Sequence, residues 1–207
     1  MLKVNEIFKT IQGETRYAGL PCVFIRLAQC NLRCSYCDTT YAYNDFFEIS
    51  VDDIIKKVKG FNCNLVTITG GEPLLQSQVF DLINKLNQNK FNLLLETNGS
   101  LLIKDINQNV CVVMDIKGPS SNEHKSFLIE NLNYIKQTDE IKFVIADKRD
   151  YDFAKAIIEK YNLCEKTNVL MSPNVKELKP KVLAEWILED DLDVRFQIQL
   201  HKVIGVR

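Results

Sequence analysis

Short runs of consecutive apolar residues alternate with helical stripes along most of this chain. Strand-like runs occupy residues 22–27, 65–69, 91–97, 110–116, 140–146, 169–171 and 195–200, and 4–8 reads as a short edge strand. Between them Val51, Ile54, Ile55 and Val58 recur at i, i+3, i+4 and i+7, as do Val79, Leu82, Ile83 and Leu86. Ala154, Ile157, Ile158 and Tyr161 form a further stripe, Pro180 opens a helix to about residue 190, and 123–135 is weaker. Ser50 with Asp53 reads as a helix N-cap, and Gly60 as the stop. Apolar runs without a polar face belong to a parallel sheet covered on both sides. A full eight-fold βα barrel typically takes about 250 residues, and this chain has 207. The expectation is an α/β fold, a partial, open TIM-like barrel of seven strands with helices. No repeat, low-complexity tract or linker divides residues 1–207, so one domain is expected.

In such sheets the loops after the strands' C-terminal ends carry function. Here they are residues 30–39, 70–73, 97–99, 117–121 and 172–173, and polar and glycine residues concentrate in them. One rim, and one active site, is implied. Its first loop holds Cys30, Cys34 and Cys37 in C-x3-C-x2-C spacing. A closed zinc site wants four ligands, usually as two pairs. No second pair follows, and the histidines are His124 and His201. Three thiolates can instead hold a [4Fe-4S] cluster and leave one iron open for a ligand. A zinc site completed from a distance stays as the alternative.

The seven cysteines are odd in number and not spaced as a disulfide framework. Residues 1–6 do not read as a signal peptide, and no stretch reads as a membrane span. A reducing cytoplasm is therefore expected, where clustered cysteines bind metal or do redox work. The formal net charge of −1 is dispersed, which argues against a nucleic-acid partner. Cys22 and Cys111 read as small buried hydrophobes, while Cys63 and Cys164 suggest no role.

Three further stretches bear on chemistry. Gly70-Gly71-Glu72-Pro73 is a turn anywhere, but here it lies one βα unit after the cysteines. Arg26 interrupts an apolar strand just before the cysteine loop. A guanidinium aimed into a barrel needs an anion, and a carboxylate fits its fork. Gln12-Gly13-Glu14 and Gln197–Lys202 read equally as polar surface.

The triplet after a first strand, with Tyr36 before its last cysteine, resembles the radical S-adenosylmethionine (SAM) superfamily. The resemblance implies a [4Fe-4S] cluster whose open iron is chelated by SAM, and a 5′-deoxyadenosyl radical. Ile11-Gln12-Gly13-Glu14, Asp38-Thr39 after the triplet, Thr69-Gly70-Gly71-Glu72-Pro73, Glu96-Thr97-Asn98-Gly99, Asp115–Ser121, Glu140–Val144 and Gln199–Lys202 narrow this. Together they are similar to the 7-carboxy-7-deazaguanine synthase family, over most of the chain. That resemblance implies conversion of 6-carboxy-5,6,7,8-tetrahydropterin to 7-carboxy-7-deazaguanine. Hydrogen leaves C6, the ring contracts, ammonia is lost and SAM is regenerated. It implies Mg²⁺ held by Thr39, and substrate contacts at Gln12, Gly13, Glu14, Arg26, Thr69 and His201. SAM contacts map to Tyr36, Asp38, Gly71, Glu72, Thr97, Lys117, Gly118, Pro119 and Ser172. No catalytic side chain beyond the cluster is implied. An electron donor such as flavodoxin or ferredoxin, a homodimer and a place in queuosine or related 7-deazapurine biosynthesis follow from the same resemblance. The family can end in a substrate-contacting proline. This chain ends Gly205-Val206-Arg207, so that contact does not carry over. The competing readings are another small radical SAM enzyme, such as a glycyl-radical-enzyme activase, and a zinc-stabilised binding module.

Overall fold

The structure, a computed structural model, describes residues 1–206; Arg207 lies outside the described residues. A nine-stranded sheet runs in the order β3-β1-β2-β4-β5-β6-β7-β8-β9. β1 (Leu2–Ile11) and β3 (Phe47–Ile49) are the antiparallel members. From β2 (Pro21–Leu27) onward every pairing is parallel: β4 (Leu65–Gly70), β5 (Asn92–Thr97), β6 (Val110–Ile116), β7 (Glu140–Ile145), β8 (Asn168–Pro173) and β9 (Arg195–Phe196). The order ends at β3 and β9, so hydrogen bonding does not close the sheet into a barrel. The open α/β sheet matches the expectation.

The helices are α1 (Val51–Gly60), α2 (Val79–Gln88), α3 (Lys148–Tyr161), α4 (Leu163–Lys166), α5 (Pro180–Glu189) and α6 (Leu200–Ile204). Ser50 caps α1 by accepting from Asp53 N at 3.1 Å. Val51, Ile54, Ile55 and Val58 are the side chains α1 buries, and Val79, Leu82, Ile83 and Leu86 those of α2. Each such side chain is worth about 1.5–3 kcal/mol when fully buried. They meet one face of the sheet, formed by Val23, Ile25, Leu27, Val66, Ile68, Leu95, Val112, Met114, Ile141, Phe143, Val169 and Met171. Alternate strand residues point the other way. On that inner face Cys22, Phe24, Leu65, Leu94, Cys111 and Val113 form a second apolar cluster, with Phe8 and Tyr17 against it.

Beyond β3 and α4, which the sequence reading did not contain, three expected elements differ. β1 is longer than 4–8 and is not an edge, because β3 pairs outside it. Residues 123–135 hold only a 3-10 turn, Ile129–Asn133. The buried Asn131 explains this: its amide bonds Gly99 O, Leu101 O and Ile103 N and ties the segment to a loop. The last strand stops at Phe196, where Gln197 turns its side chain to Thr15, and α6 follows instead. Among the described residues no helix is long and apolar enough to cross a membrane.

Candidate active site

The inner face changes character along the strands. Below lie Cys22, Phe24, Leu94, Cys111 and Val113; above them, two residues on, come Arg26, Glu96 and Asp115, with Lys142 of β7 level with Asp115. Parallel pairing sets Arg26 beside Thr69 and Asp115 beside Lys142. Lys142 Nζ lies 2.6 Å from Glu14 Oε2 and 3.4 Å from Asp115 Oδ2. Lys117 Nζ reaches the same Asp115 oxygen at 3.0 Å. Burial alone would push both acids up. For Glu14 the charge and hydrogen bond of Lys142 outweigh it, and for Asp115 the charges of Lys117 and Lys142 do, so both sit below the ordinary range. Both lysines are held above theirs, against burial, by the same acids. Glu96 behaves oppositely: burial raises it, Lys142 offsets this in part, and Glu14 raises it further. Its Oε2 accepts from Thr69 Oγ1 at 2.8 Å.

The cysteine loop lies on the rim above. Burial raises both Cys30 and Cys34; Glu72 and Cys37 add to it for Cys30, and Asp115, Cys37 and Cys30 for Cys34, which is pushed up to about 11. The three thiols thus share one neighbourhood, and the Tyr43 phenol faces it. Leu32 N donates to Cys30 Sγ at 3.4 Å and Asn98 Nδ2 at 3.9 Å. Among the described residues no three His, Cys, Asp or Glu gather as ligands of a single ion. A cubane distributes its thiolates over separate irons, so its ligands need not converge on a point.

The glycine loop is built to receive that cysteine loop. Gly71 N donates to Leu27 O at 3.1 Å and Glu72 N to Gln29 O at 2.8 Å. A Cβ on Gly71 would stand 2.1 Å from Gln29 O. The Glu72 carboxylate is wholly buried and accepts from Leu74 N (3.0 Å), Thr97 Oγ1 (2.9 Å) and Asn98 N (2.7 Å). Glu72 therefore ties the loop after β4 to the loop after β5.

Behind the charges stands the loop between β1 and β2. Gln12 is buried and donates to Thr67 Oγ1 at 3.0 Å, and its Oε1 accepts from Glu14 N at 3.2 Å. Gly13 lies under His201: a Cβ there would be 1.9 Å from Nδ1. Burial lowers the His201 pKa, favouring a neutral ring. Gln199 Nε2 donates to Glu14 Oε1, and Leu200 N to Gly13 O at 2.9 Å. Lys202 Nζ lies 2.9 Å from Asp38. Burial raises Asp38, but the bond and charge of Lys202, with Thr39 Oγ1 donating to it at 3.0 Å, outweigh this and hold it at about 2.

The radical SAM superfamily model matches residues 25–162. A 7-carboxy-7-deazaguanine synthase of Koribacter versatilis is 39% identical over 98% of this chain and 96% of that protein. The one from Chlorobaculum tepidum is 41% identical over 98% and 94%. The chain belongs to the 7-carboxy-7-deazaguanine synthase family. QueE from Escherichia coli shares its fold, with a TM-score of 0.81 at 22% identity, covering 97% of this chain and 94% of that one.

Membership of the radical SAM superfamily implies a [4Fe-4S] cluster and SAM. The residues present fit both. The three thiols are half-buried, Cys34 within electrostatic reach of Cys30 and Cys37, and Tyr36 Oη, Asp115 Oδ1 and Ser172 Oγ are buried without a hydrogen-bond partner among the described residues. Buried polar atoms are normally satisfied, and Tyr36 and Asp115, near each other and near Cys34, leave polar atoms open to a polar ligand beside the cysteine loop. The thiols lose protons on metal binding. The family pattern pointed to Tyr36, Lys117 and Ser172, and the structure groups Tyr36, Lys117 and Asp115 beside Cys34. Arg26 faces inward as expected, with Nε donating to Glu6 at 2.8 Å. Gly118 is backed by Asp150, which a Cβ there would meet at 2.6 Å. Glu96, Asp115 and Lys142 received no role from the sequence, although each is a charged residue in an otherwise apolar run, the signal that singled out Arg26.

Proposed function

We propose that this protein is the radical lyase that converts 6-carboxy-5,6,7,8-tetrahydropterin to 7-carboxy-7-deazaguanine with loss of ammonia. The observation that carries this is a likeness of 39–41% over nearly whole chains to synthases of that name. The charged inner face beneath the cysteine loop supports it chemically. When bound, the cluster and SAM supply the one-electron chemistry that opens a C–H bond of the substrate.

The chain's own residues then divide the work. Cys30, Cys34 and Cys37 hold the cluster. Tyr36, Asp38, Gly71, Thr97, Lys117, Gly118, Pro119 and Ser172 line the SAM side, with Glu72 fixing the backbone there. Glu14, ionised and held by Lys142 and Gln199, accepts from the donor-rich 2-amino pyrimidinone edge. Gln12 sets the Glu14 backbone, Gly13 gives room for His201, and Arg26 and Thr69 complete the pterin side. Thr39 is the Mg²⁺ ligand: its hydroxyl proton points at Asp38, leaving lone pairs for the ion. Residues 1–207 work as one domain in the cytoplasm, as a homodimer, taking electrons from a flavodoxin or ferredoxin and feeding queuosine or a related 7-deazapurine.

An anaerobically purified sample with SAM, reductant and Mg²⁺ should absorb as a [4Fe-4S] protein and form 7-carboxy-7-deazaguanine. SAM cleavage with the pterin left intact overturns the proposed reaction. Thr39→Ala should raise the Mg²⁺ concentration for half-maximal turnover; an unchanged requirement would place the ion elsewhere.

A further inference from the structure

Glu96 is the inner-face acid held differently from the others. Glu6 pairs with Arg26, Glu14 with Lys142, and Asp115 with both Lys117 and Lys142. The bond described for Glu96 comes instead from an uncharged hydroxyl, that of Thr69. It stands at the C-terminal end of β5, on the face shared with Arg26, Asp115 and Lys142, and is partly accessible there. We propose that Glu96 carries the proton in the ammonia-losing step, taking it from carbon and delivering it to the departing nitrogen. This rests on the reaction proposed above.

The overall conversion loses only NH₃, so the last stage needs no oxidant. A C–H bond of the contracted ring breaks, and its electron pair becomes the new ring double bond. The C–N bond breaks with its pair staying on nitrogen. The proton passes from carbon to the Glu96 carboxylate and on to that nitrogen. One group that is first base and then acid suffices, and its proton affinity should lie closer to neutrality than that of an ordinary carboxylate. The surroundings of Glu96 act in that direction: burial raises it, Lys142 of β7 opposes this, and Glu14 from the β1–β2 loop repels its charge and raises it further. The Thr69 bond and Arg26 of β2 pull the other way, with the net shift upward. The Cys22 thiol lies below it on β2, pushed up to about 12 by burial and carrying no charge near neutral pH. Two carboxyls, Glu14 lowered and Glu96 raised by one environment, separate a recognition group from a proton carrier.

The test uses reconstituted holoenzyme and substrate deuterated at C6. Glu96→Gln should still pass deuterium into SAM, while product formation falls about 100-fold, the low end for general acid–base catalysis. A species isomeric with the substrate should accumulate, and Glu96→Asp should restore part of the rate. Thr69→Val removes a hydrogen bond that favours the carboxylate, so the acid limb of the kcat–pH profile should move to higher pH. Wild-type product formation by Glu96→Gln, or equal loss of deuterium transfer and product, overturns the proposal. So does an acid limb that Thr69→Val leaves in place, and this arm decides alone if the Gln variant does not fold. A wild-type enzyme that leaves the pterin unchanged fails the reaction itself and takes this proposal with it.

Discussion

Lys142 is the residue on which the inner-face charges depend. Removing it leaves Glu14 buried with Gln199 as its remaining side-chain donor. Breaking a buried pair from one side typically costs about 3–5 kcal/mol. Because the folded Glu14 pKa is lowered, this stability is present above the unfolded carboxylate value and fades as pH falls through the folded one. Urea denaturation should therefore separate wild type from Lys142→Met widely at pH 7 and progressively less below about pH 4. A pH-independent difference would mean that lost packing, not the ion pair, sets the cost. The glycines give a second residue-scale prediction. Gly71→Ala forces a Cβ against a backbone carbonyl of the cysteine loop, an overpacking typically worth about 1–3 kcal/mol. Iron and sulfide per chain after reconstitution should fall, while Gly60→Ala, which meets nothing within 4 Å, should keep both. Equal iron in the two variants would show that the cysteine loop tolerates the shift. Lys142 shows why a site residue escapes a sequence reading: its partner Glu14 lies 128 positions away. The Ser50 cap was readable because its partner is three residues on.

At the scale of elements, what was legible followed periodicity. The stripes of α1 and α2 and the run of β6 are repeated by the structure almost residue for residue. The C-terminal segment was not legible, because alternation after residue 195 looks like a strand and its side chains answer to a loop near the N-terminus. Gln197 leaves the sheet to bond both the N–H and the carbonyl of Thr15, at 2.9 Å each. α6 then crosses from Gly13 to Asp38 with no buried residue of its own. It therefore belongs to the rim rather than to the core. Deleting residues 200–207 should leave the melting temperature of the apoprotein and the iron content near wild type. The pterin KM should rise, because His201 and its seat over Gly13 go with the helix. An unchanged KM would remove α6 from the substrate side. The Lys202–Asp38 pair is half exposed, and pairs of that kind contribute about 0–1 kcal/mol.

For the whole molecule, the decisive fact is that the sheet is open while its two ends are still joined. The loop between β1 and β2 spans from the antiparallel end to β7 and the C-terminal segment. Arg16 Nε and its backbone N–H both donate to Glu140 Oε1 at 2.9 Å, and Nη2 reaches Asp139 O at 3.1 Å. The Thr15–Gln197 and Glu14–Lys142 contacts lie beside them. One loop thus does with side chains what ladder hydrogen bonds do in a closed barrel, and the same loop carries Gln12, Gly13 and Glu14 into the site. Closure and substrate recognition should therefore fail together. Glu140 is fully buried, so Arg16→Met leaves its carboxylate with a backbone N–H but no cation, a loss of about 3–5 kcal/mol in unfolding free energy. Adding Glu140→Gln removes the stranded charge and should recover much of that stability, a coupling that a double-mutant cycle measures directly. The pterin KM should not recover in the double variant, because the loop is still untied and Glu14 with it. If stability and KM return together, the charge alone mattered; if neither changes in Arg16→Met, the loop is held by Thr15 and Glu14 without it.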